Sequence, residues 1–141
     1  DPKTYEIKIR RFIAIDDCGN IINPMVVEGQ IHGGLTQGLA PAMYEELIYD
    51  EDGNILNGSL MDYLVPTAVE TPNWETDQTV TPSPHHPLGA KGVAESPTVG
   101  APPAIANAVI DALSHLGVES MGIPITPFKV WQVLKDKELA A

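Results

Sequence analysis

The sequence predicts an α+β fold in which helices pack on a small mixed β-sheet. Three observations carry that prediction: an alternating apolar and polar stretch at the N-terminus, a hairpin signal near residue 50, and two long segments with helical spacing of apolar residues.

From Tyr5 to Ile15 apolar and polar residues alternate and then turn largely apolar, as in a strand entering a core. Asp16-Asp17-Cys18-Gly19-Asn20 supplies a turn, where Asp side chains commonly cap their own backbone. Ile21-Ile22 offers a short second strand. Asn23-Pro24 then reads as a helix cap followed by Pro at the first helical position. The helix it opens is predicted from Met25 to about Glu46, with Val27, Ile31, Leu35, Leu39 and Met43 recurring every fourth residue. Gly29, Gly33, Gly34 and Gly38 interrupt the same segment. Each costs about 1 kcal/mol relative to Ala in a helix interior, so the missing side chains must serve something. Close packing of backbone and close approach of a large ligand are the two readings.

Leu47-Ile48-Tyr49 and Ile55-Leu56 flank an acidic turn containing Asp52-Gly53, which predicts a hairpin. Asn57 to Val65 continues as strand or turn. The Pro-rich, mostly polar stretch from Thr71 to Pro87 is expected to be an extended connection, with Thr79-Val80 as the end of a short strand. A helix is expected to start at Ala101-Pro102-Pro103, to bury Ile105, Ala108, Val109, Ala112, Leu113 and Leu116, and to close at Gly117. The last helix opens at Thr126-Pro127, turns Val130, Trp131 and Leu134 inward, and frays through Lys135-Asp136-Lys137-Glu138.

With 141 residues, 43% of them hydrophobic, the chain suffices for one core. It opens on Asp1 rather than Met, so residues 1–141 are read as a single domain or as a fragment of a larger one. Nineteen acidic residues against eight basic ones give a net charge of -11, which disfavours nucleic acid and anionic membrane surfaces as partners. No apolar run approaches the roughly 20 residues that span a bilayer. The single Cys18 and the absence of a zinc-type Cys/His spacing fit a reducing, cytoplasmic setting.

Leu88 to Pro97 is the most unusual stretch, since small residues surround one carboxylate, Glu95, on a loop expected just before a helix. A partly buried carboxylate there would suit a general base; a solvated glutamate near a helix N-terminus is the other reading. His85-His86 would point to opposite sides of an extended segment and so chelate poorly. His32, with only Glu28 at helical spacing, reads as a packed or hydrogen-bonded histidine. An acid/base pair of Glu95 with Asp62 or Glu70, as in a glycosidase, is a further arrangement. Serine-triad, P-loop, dinucleotide and zinc-protease patterns are absent.

Three blocks then occur together: Asp16 to Pro24, Gly29 to Gly38, and Pro87 to Pro97. In that order they resemble the C-terminal part of the molybdenum-binding large subunit of the xanthine dehydrogenase and aldehyde oxidase family, and most of all its aerobic carbon monoxide dehydrogenase type. The resemblance runs from about Tyr5 to Leu134. It implies a piece of a larger molybdopterin-binding domain in an oxidoreductase that oxidises a small substrate with water-derived oxygen. Glu95 would be the catalytic base that takes a proton from the attacking oxygen, Gln37 and Gly38 would contact the pterin, and Gly92, Val93 and Ala94 would line the pocket through their backbone. No protein side chain is expected to ligate the metal, because the dithiolene of the pterin holds it. The implied cofactor is molybdenum–molybdopterin, plain or as the cytosine dinucleotide, with Fe–S centres and FAD on partner subunits or domains. The implied partners are the rest of the molybdenum subunit and the iron–sulfur and flavin subunits, and the isolated chain is expected to be inactive. The family usually has Gly where this chain has Ala94, a substitution that requires a backbone free of positive φ. The contrasting possibility is a cofactor-free module that completes another subunit without catalysis of its own.

Overall fold

A computed structural model describes residues 1–137. In chain order its elements are strand β1 (Phe12–Asp16), helix α1 (Pro24–Met43), strand β2 (Trp74–Gln78), helix α2 (Glu95–Leu113) with a 3-10 turn at Ser114–Leu116, and helix α3 (Pro127–Asp136). Helices on a small sheet are thus the architecture, as the sequence predicts. The two strands pair in parallel, from Phe12 opposite Trp74 to Asp16 opposite Gln78. Antiparallel pairing is confined to two isolated bridges, Gly19 with Ala90 and Tyr49 with Ile55.

Parallel strands need a long crossover, and α1 followed by the irregular segment 44–73 provides it. Phe12, Ala14 and Trp74 turn towards α1, where Phe12 and Trp74 meet edge to face at 5.3 Å. Trp74 Nε1 donates to Thr36 Oγ1, tying β2 to the middle of α1. On the opposite face Ile13 and Ile15 are 52% and 63% exposed.

Helix α1 starts where predicted, with Pro24 first and the Asn23 side chain accepting from Val26 N at 3.3 Å. It ends at Met43, three residues before the expected end, where Tyr44 leaves helical geometry. Ile31, Leu35, Leu39 and Met43 are buried as their spacing requires. Two of the four glycines explain part of the pattern. A Cβ on Gly34 would lie 2.5 Å from Pro97 Cγ, and one on Gly38 would lie 2.8 Å from both Ala101 Cβ and the Thr98 carbonyl oxygen. Those two positions let α1 and α2 pack backbone against backbone, running in the same direction. Gly29 and Gly33, by contrast, have open space where a side chain would be.

Several boundaries differ from the sequence expectation. Helix α2 begins at Glu95 rather than Ala101, with Pro102 and Pro103 in its interior. A proline pair ordinarily marks a helix start, but here Pro97 and Ala101 press on the glycines of α1, a contact that extends the helix backwards. Ile21-Ile22 forms no strand. The Pro-rich connection contains β2, which ends one residue before Thr79. The segment 47–56 forms its hairpin as a single bridge with Asp50 N donating to Asn54 O, and 59–71 is turn without strand. Ala108 and Ala112 are exposed while Ile105 and Val109 are buried.

Gly117 closes the helical run in a left-handed conformation, φ 76°. The Thr126 hydroxyl caps α3 by accepting from Lys129 N at 3.2 Å, and Val130 and Leu134 join Val109, Val118 and Ile125 in one cluster. Trp131 is only half-buried, with Lys135 Nζ 4.6 Å above its ring. The expected fraying at Glu138 lies outside the described residues. No helix among the described residues is long and apolar enough to cross a membrane.

Candidate functional site

The turn after β1 and the segment before α2 are built as one unit. Gly19 and Gly89 both take φ of +67°, and a Cβ on Gly19 would fall 2.1 Å from the Gly89 carbonyl oxygen. Only glycine permits that approach. Asn20 N donates to Gly89 O at 3.0 Å, Lys91 N donates to Cys18 O at 2.7 Å, and Asn20 Nδ2 donates to Leu88 O at 2.9 Å. Cys18 is buried at the centre of this contact.

Side chains add to it. Asp17 Oδ1 accepts from Gly19 N at 2.9 Å, the local capping expected of this turn, and also from Thr81 N at 3.1 Å. Lys91 Nζ lies 2.8 Å from the same oxygen. Lys91 first, then the Thr81 and Gly19 donors, hold the Asp17 carboxyl far below the usual carboxylate range. Just past Glu95, the Ser96 hydroxyl donates to the buried Asp16 carboxylate at the end of β1.

Between these ties lie the residues singled out in the sequence. Glu95 is the first residue of α2 and is exposed, not partly buried on a preceding loop. It takes part in none of the three ion pairs found among the described residues. Being in the first turn, its negative charge is favourably placed against the helix dipole. Ala94 has φ −65° and ψ −37°, ordinary right-handed backbone, so its methyl strains nothing. Gly92 is open on its Cβ side, while Val93 packs on the cluster of Ile31, Leu35 and Ala101.

On α1, Gly29, Gly33 and Gln37 recur every four residues and all are exposed, so they share one face. That face is bare at Gly29 and Gly33 and is bordered by the exposed Val26 and Gln30. Gly38 is buried, and its Cβ position belongs to α2 rather than to open space. The contacts of Gly34 with Pro97 and of Gly38 with Ala101 bring the middle of α1 against the first turns of α2, which Glu95 begins. His32 lies on α1 with its Nε2 buried and without a partner among the described residues.

The other candidates do not join this group. His86 Nδ1 accepts from Leu88 N within its own turn. Asp62 accepts from Ser59 Oγ, and Glu70 from the Thr67 amide and hydroxyl, each closing a local turn. Among the described residues no three His, Cys, Asp or Glu side chains are grouped to hold a metal ion. A cleft between the N-terminal segment and α2 is lined by Ile7, Ile9, Ile105, Val109 and Leu134; its surface is mostly apolar, and neither Glu95 nor Gln37 borders it. Sequence reasoning missed Lys91, Ser96 and Asn20. Their signal was present only as charge and hydrogen-bonding complementarity to the Asp16-Asp17 turn, in a block far away along the chain.

Comparison with known proteins gives this arrangement a context. The chain is 60% identical over 140 residues to the carbon monoxide dehydrogenase large chain of Hydrogenophaga pseudoflava, covering 99% of this chain and 17% of that protein. It is 43% identical over 135 residues to the nicotine 6-hydroxylase large subunit of Paenarthrobacter nicotinovorans, covering 96% of this chain and 16% of the relative. A crystal structure of Cu,Mo-CO dehydrogenase superposes on the whole chain with a TM-score of 0.95 and 55% identity, covering 18% of that chain. The chain therefore spans about one sixth of the length of the curated relatives it matches. Residues 1–72 match the profile of the molybdopterin cofactor-binding domain, and the chain belongs to that family.

Proposed function

We propose that this chain forms one wall of the cofactor site in a molybdenum hydroxylase and supplies the base, Glu95, for oxidation of a small substrate. The observation that carries this reading is the open face of α1, stripped of side chains at Gly29 and Gly33, beside a helix that begins at an exposed and unpaired Glu95.

The residues fit the pterin cofactor of the family. A broad, flat, polar heterocycle needs backbone without intervening side chains and amides that both donate and accept. Gly29, Gly33 and Gly92 offer the first, Gln37 the second. Gln37 would hydrogen-bond the pterin, and the backbone of Gly92, Val93 and Ala94 would border the metal. Gly38 serves chiefly by letting α1 close on α2, so that any contact of its own with the cofactor is through backbone. When bound, the cofactor supplies the redox centre that takes two electrons from the substrate and provides water-derived oxygen.

Glu95 takes up a proton at its carboxylate as the new bond to substrate carbon forms, and passes it to solvent afterwards. The chain that runs into Glu95 is tied at Gly89 and Lys91 to the β1 turn. Relatives named for carbon monoxide and for nicotine share this segment, which supports a division of labour: the base and one wall here, substrate choice elsewhere. The exposed Ile13 and Ile15 would be covered by the rest of the molybdenum subunit, and electrons would leave through iron–sulfur and flavin subunits.

The test is Glu95→Gln in the assembled enzyme, with molybdenum content and turnover measured together. A fall in kcat of about 10²–10⁴ with molybdenum retained is expected for loss of a positioned base. Full turnover in the variant overturns the role of Glu95, and a wild-type complex free of molybdenum points to the cofactor-free module instead.

A further inference from the structure

We propose that Asp17 and Lys91 are positioning residues for Glu95, their ion pair locking the segment before α2 onto the end of β1; this rests on Glu95 being the base. Backbone hydrogen bonds to the β1 turn reach as far as Lys91, and between Lys91 and Ser96 the chain leading to Glu95 is held chiefly by Val93 packing on the core cluster. Gly92 meets nothing on its Cβ side, Ala94 caps α2 without a side-chain hydrogen bond, and Glu95 itself is exposed. Rigidity must come from β1, whose five residues are paired with β2 and whose last residue, Asp16, is buried.

Asp17 is the point of transfer. Its Oδ1 gathers Gly19 N at 2.9 Å, Thr81 N at 3.1 Å and Lys91 Nζ at 2.8 Å, so one carboxylate oxygen joins the β1 turn, the irregular segment that follows β2 and the Glu95 segment. Lys91 is fixed a second time by its own amide on Cys18 O. Beyond Glu95, Ser96 closes the other side on Asp16. Glu95 is therefore held between a tie four residues before it and a tie one residue after it.

A partly exposed ion pair adds little to global stability. A displacement of about 1 Å at a reacting group, however, can lower a rate on the order of 10²-fold. The two effects separate, and a positioning role differs from a structural one in that separation.

The experiment uses the assembled enzyme with Asp17→Asn, Lys91→Met, Glu95→Gln and the combination Asp17→Asn with Glu95→Gln. Arg11→Met, which breaks the exposed ion pair with Glu75 on the sheet, is the control. Turnover, KM, molybdenum content, thermal midpoint and hydrogen exchange of amides 88–96 are measured. Expected for Asp17→Asn and Lys91→Met are a kcat lowered tenfold or more, KM within twofold, unchanged molybdenum and midpoint, and faster exchange in 88–96. No further loss should follow when Asp17→Asn is added to Glu95→Gln. Arg11→Met should match wild type in all five. Unchanged exchange in both latch variants overturns the lock, and faster exchange with wild-type kcat overturns the positioning role. A fall confined to KM, molybdenum or the midpoint also overturns it. Full activity of Glu95→Gln overturns the base reading beneath it, whatever the latch variants do.

Discussion

Replacing Gly38 with alanine should destabilise the fold, whereas the same change at Gly33, one turn and a fraction away on the same helix, should stabilise it. At Gly38 the new methyl would sit 2.8 Å from Ala101 Cβ, 2.8 Å from the Thr98 carbonyl oxygen and 3.0 Å from Pro102 Cδ. Ordinary carbon contacts lie at about 3.5–4.0 Å, so α1 and α2 would have to part by roughly 0.7 Å. Backbone supplies one of the three contacts and cannot rotate aside. Overpacking against backbone that cannot yield falls in the upper part of the usual range, about 2–3 kcal/mol, offset by about 1 kcal/mol from the better helix propensity of alanine. A net loss of about 1–2 kcal/mol follows, or a thermal midpoint lower by roughly 3–6 °C. Gly33 has nothing within 4 Å of its Cβ position, so the propensity term stands alone and adds about 0.5–1 kcal/mol. Urea denaturation followed by circular dichroism measures both. A Gly38→Ala variant as stable as wild type, or a Gly33→Ala variant weakened to the same degree, would refute the assignment of the two glycines to packed and open faces.

In the assembled enzyme Gly33→Ala should nevertheless lower molybdenum cofactor content, since the methyl intrudes on the face proposed to receive the pterin; unchanged content by metal analysis would remove Gly33 from that face. The Asp17 carboxyl is held below its ordinary range, chiefly by Lys91. The stabilisation it brings is present above the unfolded value near pH 4 and fades as pH falls towards the lower folded value. Hydrogen exchange of amides 88–91 should therefore be slow at pH 5 and, after correction for intrinsic rates, lose protection below about pH 4, and Asp17→Asn should abolish that acid step. The separately produced chain should bind a hydrophobic dye strongly, because Leu60, Met61 and Val69 are more than four-fifths exposed, and should retain little molybdopterin; stoichiometric molybdenum in that preparation would contradict the need for the rest of the site.

Much of the fold is legible because it is written locally. Asn23-Pro24 and Thr126-Pro127 cap their helices where the residues predict, Gly117 ends the run after α2, and the four-residue spacing of Ile31, Leu35, Leu39 and Met43 marks the buried face of α1. Strand β2 is harder to read, because Trp74–Gln78 alternates weakly within a Pro-rich polar stretch and owes its strand to pairing with β1. The start of α2 fails for a related reason: local rules weigh Pro102 and Pro103, whereas the contact of Pro97 with Gly34 decides.

For the candidate site the same boundary holds. Glu95 and the glycine-rich blocks stand out by residue type, the role of Glu95 and the choice of Gln37 follow only from the family resemblance, and the profile match and the 60% identity to a carbon monoxide dehydrogenase large chain agree with the family those blocks resemble. Which glycines face a neighbour and which face open space could not be read from the sequence, since all four have the same side chain and differ only in what tertiary packing sets beside them. Nor could the bond from Lys91 to Asp17, made between segments far apart in the chain. Caps and periodicity act over a few residues and leave a local trace in the sequence; a helix packed on a helix, or a charge meeting a distant charge, exists only once the chain has folded back on itself.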